Sequence, residues 1–148
     1  MKIKDGRETI TSKIAYIAGF FDGEGCVRIK KANKDGNSYY VWVAITNSNR
    51  AILEEIAELF GGKVRQAERA VNKVIYHYLI TSAEAVDFLK TIRCFLQEKR
   101  AQADTAIYFH ENKGSMPPHT KYIYEQRLRE MKREIIGNIY ENENLLTK

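Results

Sequence analysis

The chain has 148 residues, of which 44% are hydrophobic and 29% are charged, with a net charge of +5 at pH 7. These values predict one soluble globular domain over residues 1–148, with flexible termini at about 1–10 and 138–148. They argue against a membrane protein, because the apolar run at residues 14–21 is far shorter than the roughly 20 residues that a spanning helix needs. The excess of basic residues suits an anionic partner.

The two cysteines, Cys26 and Cys94, stand apart without metal-ligand spacing. They indicate free thiols in a reducing compartment instead of a disulfide framework. The N-terminus is polar and does not resemble a signal peptide. We therefore expect an intracellular protein of the cytoplasm or nucleoid, or of an organelle if the gene is organelle-encoded.

The first predicted element is a helix that begins near Thr11 or Ser12 and ends at about Phe21. Its apolar face consists of Ile14, Ile17 and Phe21. A second face, made of small residues at i, i+3, i+4 and i+7, would allow another helix to approach closely. That face is made of Ala15, Ala18, Gly19 and Asp22.

A glycine-rich turn with two acids, Asp22-Gly-Glu-Gly25, follows the helix. A carboxylate on such a turn, beside exposed carbonyl groups, can hold a hard divalent ion such as magnesium. The alternative is a helix end followed by a tight turn whose acids are merely solvated. For these four residues taken alone, the alternative is the better interpretation.

Two strands are predicted next, at residues 26–31 and 39–48, with a turn at Asp35-Gly36 between them. On the second strand Val41, Val43 and Ile45 share one face, and large groups also occupy the other. An aromatic and basic face suits a groove of DNA, although a second small core explains Trp42 equally well. The residues of this second face are Tyr40, Trp42, Ala44 and Thr46, beside Arg28 and Lys30 of the first strand.

The remaining pattern predicts a helix over 50–60 capped by Asn49, strands over 63–69 and 74–81, and a helix capped by Ser82. A helix ending near Asn112 and a last helix over about 120–136, ended by Gly137, complete the chain. The order is α-β-β-α-β-β-α followed by two helices, an α+β fold. His77 is interpreted as an ordinary sheet residue.

Positive charge is concentrated on the predicted strands. Residues 25–48 and residues 62–81 each hold four basic side chains against one acidic side chain. A clustered positive surface on sheet elements is typical of nucleic-acid binders, although lysines are also common on solvated strand edges.

Residues 17–25, Ile-Ala-Gly-Phe-Phe-Asp-Gly-Glu-Gly, resemble the signature of the LAGLIDADG homing endonucleases, and the predicted order of elements resembles that of the family. The resemblance implies an antiparallel, saddle-shaped sheet that sits on double-stranded DNA, with helices behind it. Only one motif is present, which in this family implies a homodimer. Its interface would be the helix face of Ala15, Ala18, Gly19 and Asp22.

The resemblance also implies an activity. Members hydrolyse one phosphodiester bond in each strand of a long pseudo-palindromic site, in intron homing, and leave 3′ overhangs. Mg²⁺, or another divalent cation such as Mn²⁺, would be bound by Glu24 and the carbonyl group of Gly23. The implied catalytic residues are Glu24, Asn47, Arg50 and Lys99, where Asn47 replaces the longer glutamine of many members.

DNA would be contacted by side chains of the four strands. These are Arg28, Lys30, Tyr40, Trp42, Thr46, Arg65, Arg69, Tyr76 and Tyr78. Two alternatives on the same fold stay open, an intron RNA-splicing maturase and a non-catalytic DNA-binding regulator. An acid at Glu24 and a base at Lys99 favour the nuclease.

Overall fold

The computed structural model describes residues 9–67 and 73–146, with side chains described up to residue 132. Its elements follow the predicted α-β-β-α-β-β-α order, and two further helices complete the α+β fold. The bounds are α1 Ile10–Glu24, β1 Gly25–Lys31, β2 Tyr39–Asn47, α2 Arg50–Phe60, β3 Lys63–Gln66, β4 Tyr76–Thr81, α3 Ser82–Ile92, α4 Arg100–Asn112 and α5 Pro118–Leu146.

Helix α1 is longer than predicted at both ends. Thr9 caps it by accepting a hydrogen bond from the Ser12 backbone NH over 3.1 Å, so neither predicted cap is correct. The helix continues to Glu24, and the chain enters β1 directly at Gly25. The separate acidic turn predicted over residues 22–25 is therefore the last helical turn, which holds both acids in fixed positions.

Gly25 makes this direct connection possible. A Cβ atom at this position would lie 2.2 Å from the Phe21 ring, which is fully buried beneath it. The Gly25 backbone NH also closes the helix by donating to the Phe21 carbonyl oxygen. The absence of a side chain thus lets the helix end, the buried ring and the first strand meet at one point.

The four strands form one antiparallel sheet in the order β1-β2-β4-β3. One face packs on the helices and carries Val27, Ile29, Val41, Val43, Ile45, Tyr78 and Ile80, which are all buried. We call the opposite face the open face. It carries Cys26, Arg28, Lys30, Tyr40, Trp42, Ala44, Thr46, Arg65, His77 and Leu79.

The connection between α2 and β3 depends on two glycines. Gly61 and Gly62 have φ angles of 84° and 89°, a region that side chains disfavour. The carbonyl oxygen of Gly61 accepts a hydrogen bond from the Tyr78 hydroxyl over 2.7 Å. This bond joins the end of α2 to the centre of β4.

The C-terminal helices complete the core. Ser82 is the first residue of α3, with φ of 56°, and does not cap the helix as predicted. Helix α5 contacts β1 and α4, buries Leu128, and continues to Leu146 through Gly137, its predicted end. Among the described residues, no helix combines the length and apolar character needed to cross a membrane.

Candidate active site and nucleic-acid interface

Asp22, in the last turn of α1, organises the site through the segment that precedes α4. Its carboxylate accepts hydrogen bonds from the backbone NH groups of Gln97 over 2.8 Å and Lys99 over 3.0 Å. The Lys99 ammonium group also donates, to the Asp22 carbonyl oxygen. These three contacts hold Lys99 against the end of α1, although 77 residues separate it from Asp22.

Lys99 is half-buried, and burial is the main reason why its pKa is lower than its ordinary value. The positive charge of Lys132 lowers the pKa further, whereas Asp22, Glu98 and Cys26 oppose the shift. A lysine in this setting can exchange or donate a proton more readily than a solvated surface lysine.

Glu24 is exposed, and it lines a cavity of about 820 Å³ on the open face. Since the Asp22 carboxylate is committed to two backbone NH groups, Glu24 is the acid of this helix turn that is directed to the cavity. Apolar side chains such as Ala44 and Leu79 also line the cavity, together with several polar or basic ones. The polar and basic side chains include Cys26, Thr46, Arg65, His77 and Lys132.

Asn47 and Arg50 are held by local contacts at the start of α2. The Asn47 side-chain oxygen accepts from the Asn49 backbone NH over 2.8 Å. Arg50 Nε lies 3.0 Å from a carboxylate oxygen of Glu54, and its guanidinium lies 5.4 Å from the centre of the Tyr76 ring. None of the contacts described for these two side chains reaches Glu24 or Lys99, so their catalytic roles stay predictions.

The basic and aromatic cluster predicted on β1 and β2 is present on the open face. The Lys30 ammonium lies 3.8 Å from the centre of the Trp42 ring, a cation–π contact, and Arg28 pairs with Trp42 across the strands. Trp42 is only half-buried, and Tyr40 lies two residues before it on the same face. The alternative of a second small core around Trp42 is therefore not supported.

The open face also contains a polar pair that sequence reasoning missed. Thr46 Oγ1 lies 2.7 Å from His77 Nδ1, and Arg65 is the partner of His77 on β3. Both Thr46 and His77 are exposed. Both faces of β4 carry large side chains, so the sequence does not show which face of the strand is buried. The alternation along β4 therefore could not assign His77 to the open face.

Two predicted DNA-contacting tyrosines lie on the wrong face of β4. Tyr78 is fully buried, where it packs against Phe88 and donates its hydroxyl to Gly61. Burial, with the nearby Glu84, raises its pKa. Tyr76 shares that face, beneath Arg50 and against the core. Both assignments are wrong because the period-two alternation turns these side chains toward the helices. Arg69 lies outside the described residues.

The proposed interface face of α1 needs one correction. Ala18 is fully buried in the core, so it cannot contact a second chain. Ala15 and Asp22 are half-buried, and Gly19 is exposed. A Cβ atom at Gly19 or Gly23 would meet nothing within 4 Å, so packing within the chain does not require either glycine. The exposed row of α1 is Ser12, Tyr16, Gly19 and Gly23.

The donor set at this site fits a hard divalent cation but is incomplete in a single chain. Glu24 supplies a carboxylate and Gly23 a carbonyl oxygen, the ligand types that magnesium prefers. In the described part of the chain, no group of three or more His, Cys, Asp or Glu side chains could hold a metal ion. Further oxygen ligands would have to come from outside the part of the chain that the structure describes.

An antiparallel four-stranded sheet with a basic open face, entered directly from a helix that ends in an exposed glutamate, defines the LAGLIDADG class of α+β domain. The chain belongs to this family: residues 11–93 match the model of the LAGLIDADG-like domain. The resemblance drawn from the motif is thus confirmed. Among curated proteins, none matches the chain significantly.

Solved structures show the same fold. The homing endonuclease I-CvuI, in complex with its target, is 21% identical, with a TM-score of 0.66, covering 80% of this chain and 81% of its own. The archaeal intron-encoded homing endonuclease I-Vdi141I, complexed with DNA, is 22% identical, with a TM-score of 0.63 and coverage of 87% and 85%. At this level of identity, the likeness supports the fold alone.

Proposed function

We propose that the protein is a site-specific homing endonuclease that acts as a homodimer on double-stranded DNA. The observation that carries the proposal is that the last turn of α1 both presents Glu24 to the cavity on the open face and holds Lys99 through Asp22. The turn of α1 that presents the acid also anchors the lysine, through the contacts of Lys99 with Asp22. A basic face alone suits many nucleic-acid binders, but an acid and a half-buried lysine fixed together suit hydrolysis.

The open face provides the DNA-binding surface in this proposal. Arg28, Arg65 and His77 present hydrogen-bonding groups that suit base edges in the major groove. Lys30 and Trp42 add a positive charge and an aromatic surface beside them. Because the contacts to phosphates are electrostatic, the logarithm of the affinity should fall linearly with the logarithm of the salt concentration.

Dimerisation through α1 would complete the active site. A two-fold axis along the exposed row of α1 would bring two copies of Glu24 together at the ends of the paired helices. The second Glu24 and the DNA phosphate oxygens would then supply metal ligands that the described residues of one chain do not provide. The half-sites of the DNA would mirror the protein symmetry and form a pseudo-palindrome.

In this arrangement Glu24, with the Gly23 carbonyl group, would hold a divalent cation such as Mg²⁺ or Mn²⁺. When bound, the cation would supply a water of lowered pKa and would shield charge on the phosphate. Lys99, held beside the same helix end, stabilises the negative charge that develops as the phosphodiester bond breaks. Cutting each strand once across the minor groove would leave 3′ overhangs.

Cleavage of DNA that spans the uninterrupted host locus, with Mg²⁺ present, tests the proposal. The variants are Glu24→Gln, which removes the charge, and Glu58→Gln, a matched control on the exposed side of α2. We expect linear product from the wild type and from Glu58→Gln, none from Glu24→Gln, and none after chelation of the metal. Sequencing of the product ends reports the overhangs.

Other outcomes would contradict the nuclease. Specific binding by the wild type and by Glu24→Gln, with no cutting by either, would favour a DNA-binding regulator. Restoration of splicing to an intron RNA without DNA cleavage would favour a maturase. A flat dependence of affinity on salt would contradict the phosphate contacts.

A further inference from the structure

Helix α5 brings a lysine to the candidate active site from far along the chain. Lys132 Nζ lies 3.8 Å from the Cys26 sulfur on β1, two residues after Glu24. Lys132 and Glu24 line the same cavity on the open face. The positive charge of Lys132 also acts on Lys99. A residue of the C-terminal helix is therefore close to both parts of the proposed catalytic pair.

The position of Lys132 follows from the packing of α5. Leu128, one turn earlier, is fully buried and anchors the helix to the core. Helix α5 contacts β1, which is an edge strand of the sheet. With Leu128 fixed inside, Lys132 projects past the edge of β1 toward the open face. Both residues lie outside the stretch 11–93 that matches the family model.

The charge of Lys132 is available to a ligand. Lys132 is exposed, and within the described residues no carboxylate lies within the 4 Å that defines an ion pair with it. Its neighbour Arg129 differs, because it is paired with Glu125 at 3.1 Å. The ammonium group of Lys99 also has a partner within the chain, because it donates to the Asp22 carbonyl oxygen. Like Arg65 on β3, Lys132 is thus an exposed cation of this cavity that has no carboxylate partner among the described residues.

We infer that Lys132 is a further substrate-binding residue of the nuclease site, whose ammonium group binds a phosphate of the DNA strand beside Glu24. The inference rests on the proposed function and adds a contact from an element outside the sheet. An ammonium on a flexible stem binds phosphate as a point charge and needs no fixed geometry. Near Glu24, this charge would offset the repulsion between the carboxylate and the incoming DNA backbone.

The test compares Lys132→Met, Lys132→Arg and Lys113→Met. Methionine keeps most of the stem and removes the charge, and arginine keeps the charge. Lys113 is the matched control, because it lies near His110 and Lys90 on the helical side of the molecule. Thermal unfolding first establishes that all three variants fold like the wild type.

Binding is measured without divalent metal over a range of salt concentrations. The probe is a DNA duplex of mixed sequence that is long enough to contact both subunits of the dimer. Each lost phosphate contact should lower the salt slope by about 0.9, so Lys132→Met should lower it by about 1.8 in a dimer. Lys132→Arg and Lys113→Met should retain the wild-type slope. Single-turnover cleavage at protein concentrations below saturation should fall about tenfold in Lys132→Met, equivalent to about 1.4 kcal/mol, and recover in Lys132→Arg.

The outcomes separate this inference from the proposed function. If the wild type cuts DNA and Lys132→Met matches Lys113→Met in slope and rate, the inference fails and the nuclease stands. If the wild type binds but does not cut, the nuclease fails. The slope alone then decides whether Lys132 contacts a phosphate. If the wild type does not bind DNA at all, both proposals are overturned.

Discussion

Lys99 donates two hydrogen bonds to Asp22: its backbone NH donates to the Asp22 carboxylate over 3.0 Å, and its ammonium group donates to the Asp22 carbonyl oxygen. With the additional bond from Gln97, this carboxylate is a structural acceptor that positions the lysine. The two acids of the motif thus have different tasks. Asp22 joins the end of α1 to the segment before α4, whereas Glu24 lines the cavity on the open face.

Asp22→Ala should lower both stability and activity. Its loss leaves two backbone donors without their charged acceptor, which should cost about 2–3 kcal/mol in the free energy of unfolding. Urea denaturation measures this loss. Glu24→Gln changes an exposed side chain and should stay within about 0.5 kcal/mol of the wild type. Equal stability of the two variants would contradict the division of tasks.

Lys99 should make stability depend on pH in a defined direction. Its folded-state pKa is lowered, whereas the unfolded chain keeps the proton up to the ordinary value of 10.5. Between these two values the unfolded state binds more protons, so stability at this position rises with pH. The penalty for charging Lys99 is present in full below the folded pKa and disappears as the pH approaches 10.5.

The measurement is urea unfolding of the wild type and Lys99→Met from neutral pH to 10.5. The difference in unfolding free energy between them should shift in favour of the wild type as the pH rises. Taking the difference removes contributions that both proteins share, including the raised pKa of Tyr78, which acts in the opposite direction. A difference that is independent of pH would contradict the shift.

The facing of β4 predicts opposite effects for two neighbouring residues. Tyr78→Phe removes the hydroxyl that donates to Gly61 and should cost about 1–2 kcal/mol of stability, with DNA affinity unchanged. His77→Ala should leave stability within about 0.5 kcal/mol. Because His77→Ala removes a proposed contact to a DNA base, it should weaken binding to the preferred DNA site by about 1–3 kcal/mol. Urea denaturation and DNA titration with both variants check this, and the reverse pattern would restore the original assignment of Tyr78.

The exposed row of α1 predicts an effect on assembly without an effect on the fold. Gly19→Leu has free space in the single chain, because a Cβ atom there meets nothing within 4 Å. It should therefore preserve secondary structure but prevent close helix contact and shift a dimer to monomer in sedimentation equilibrium. Ala83→Leu, at an exposed position of α3, is the control and should not change the molecular mass. A monomeric wild type would contradict the proposed dimer.

Much of the fold could be predicted from local patterns. The bounds of α2 agree with its apolar stripe, and Asn49 accepts from the Ile52 backbone NH as its cap should. The alternation of β2 placed Trp42 and Thr46 on the open face correctly, because Val41, Val43 and Ile45 mark the buried side. On β4 the two faces differ little in polarity, and the same reasoning assigned Tyr76 and Tyr78 to the DNA-contacting face instead of the face that packs on the helices.

The sequence by itself determined the family and the order of elements, and it singled out Glu24 as the candidate metal ligand, because a contiguous motif and local periodicity carry that information. Only the tertiary structure decided that Asp22 binds the backbone before α4, that Ala18 is buried, and that Lys132 reaches the cavity of Glu24. These facts depend on contacts between residues far apart in the chain. Such contacts are set by the packing of helices on a sheet, which no short stretch of sequence encodes.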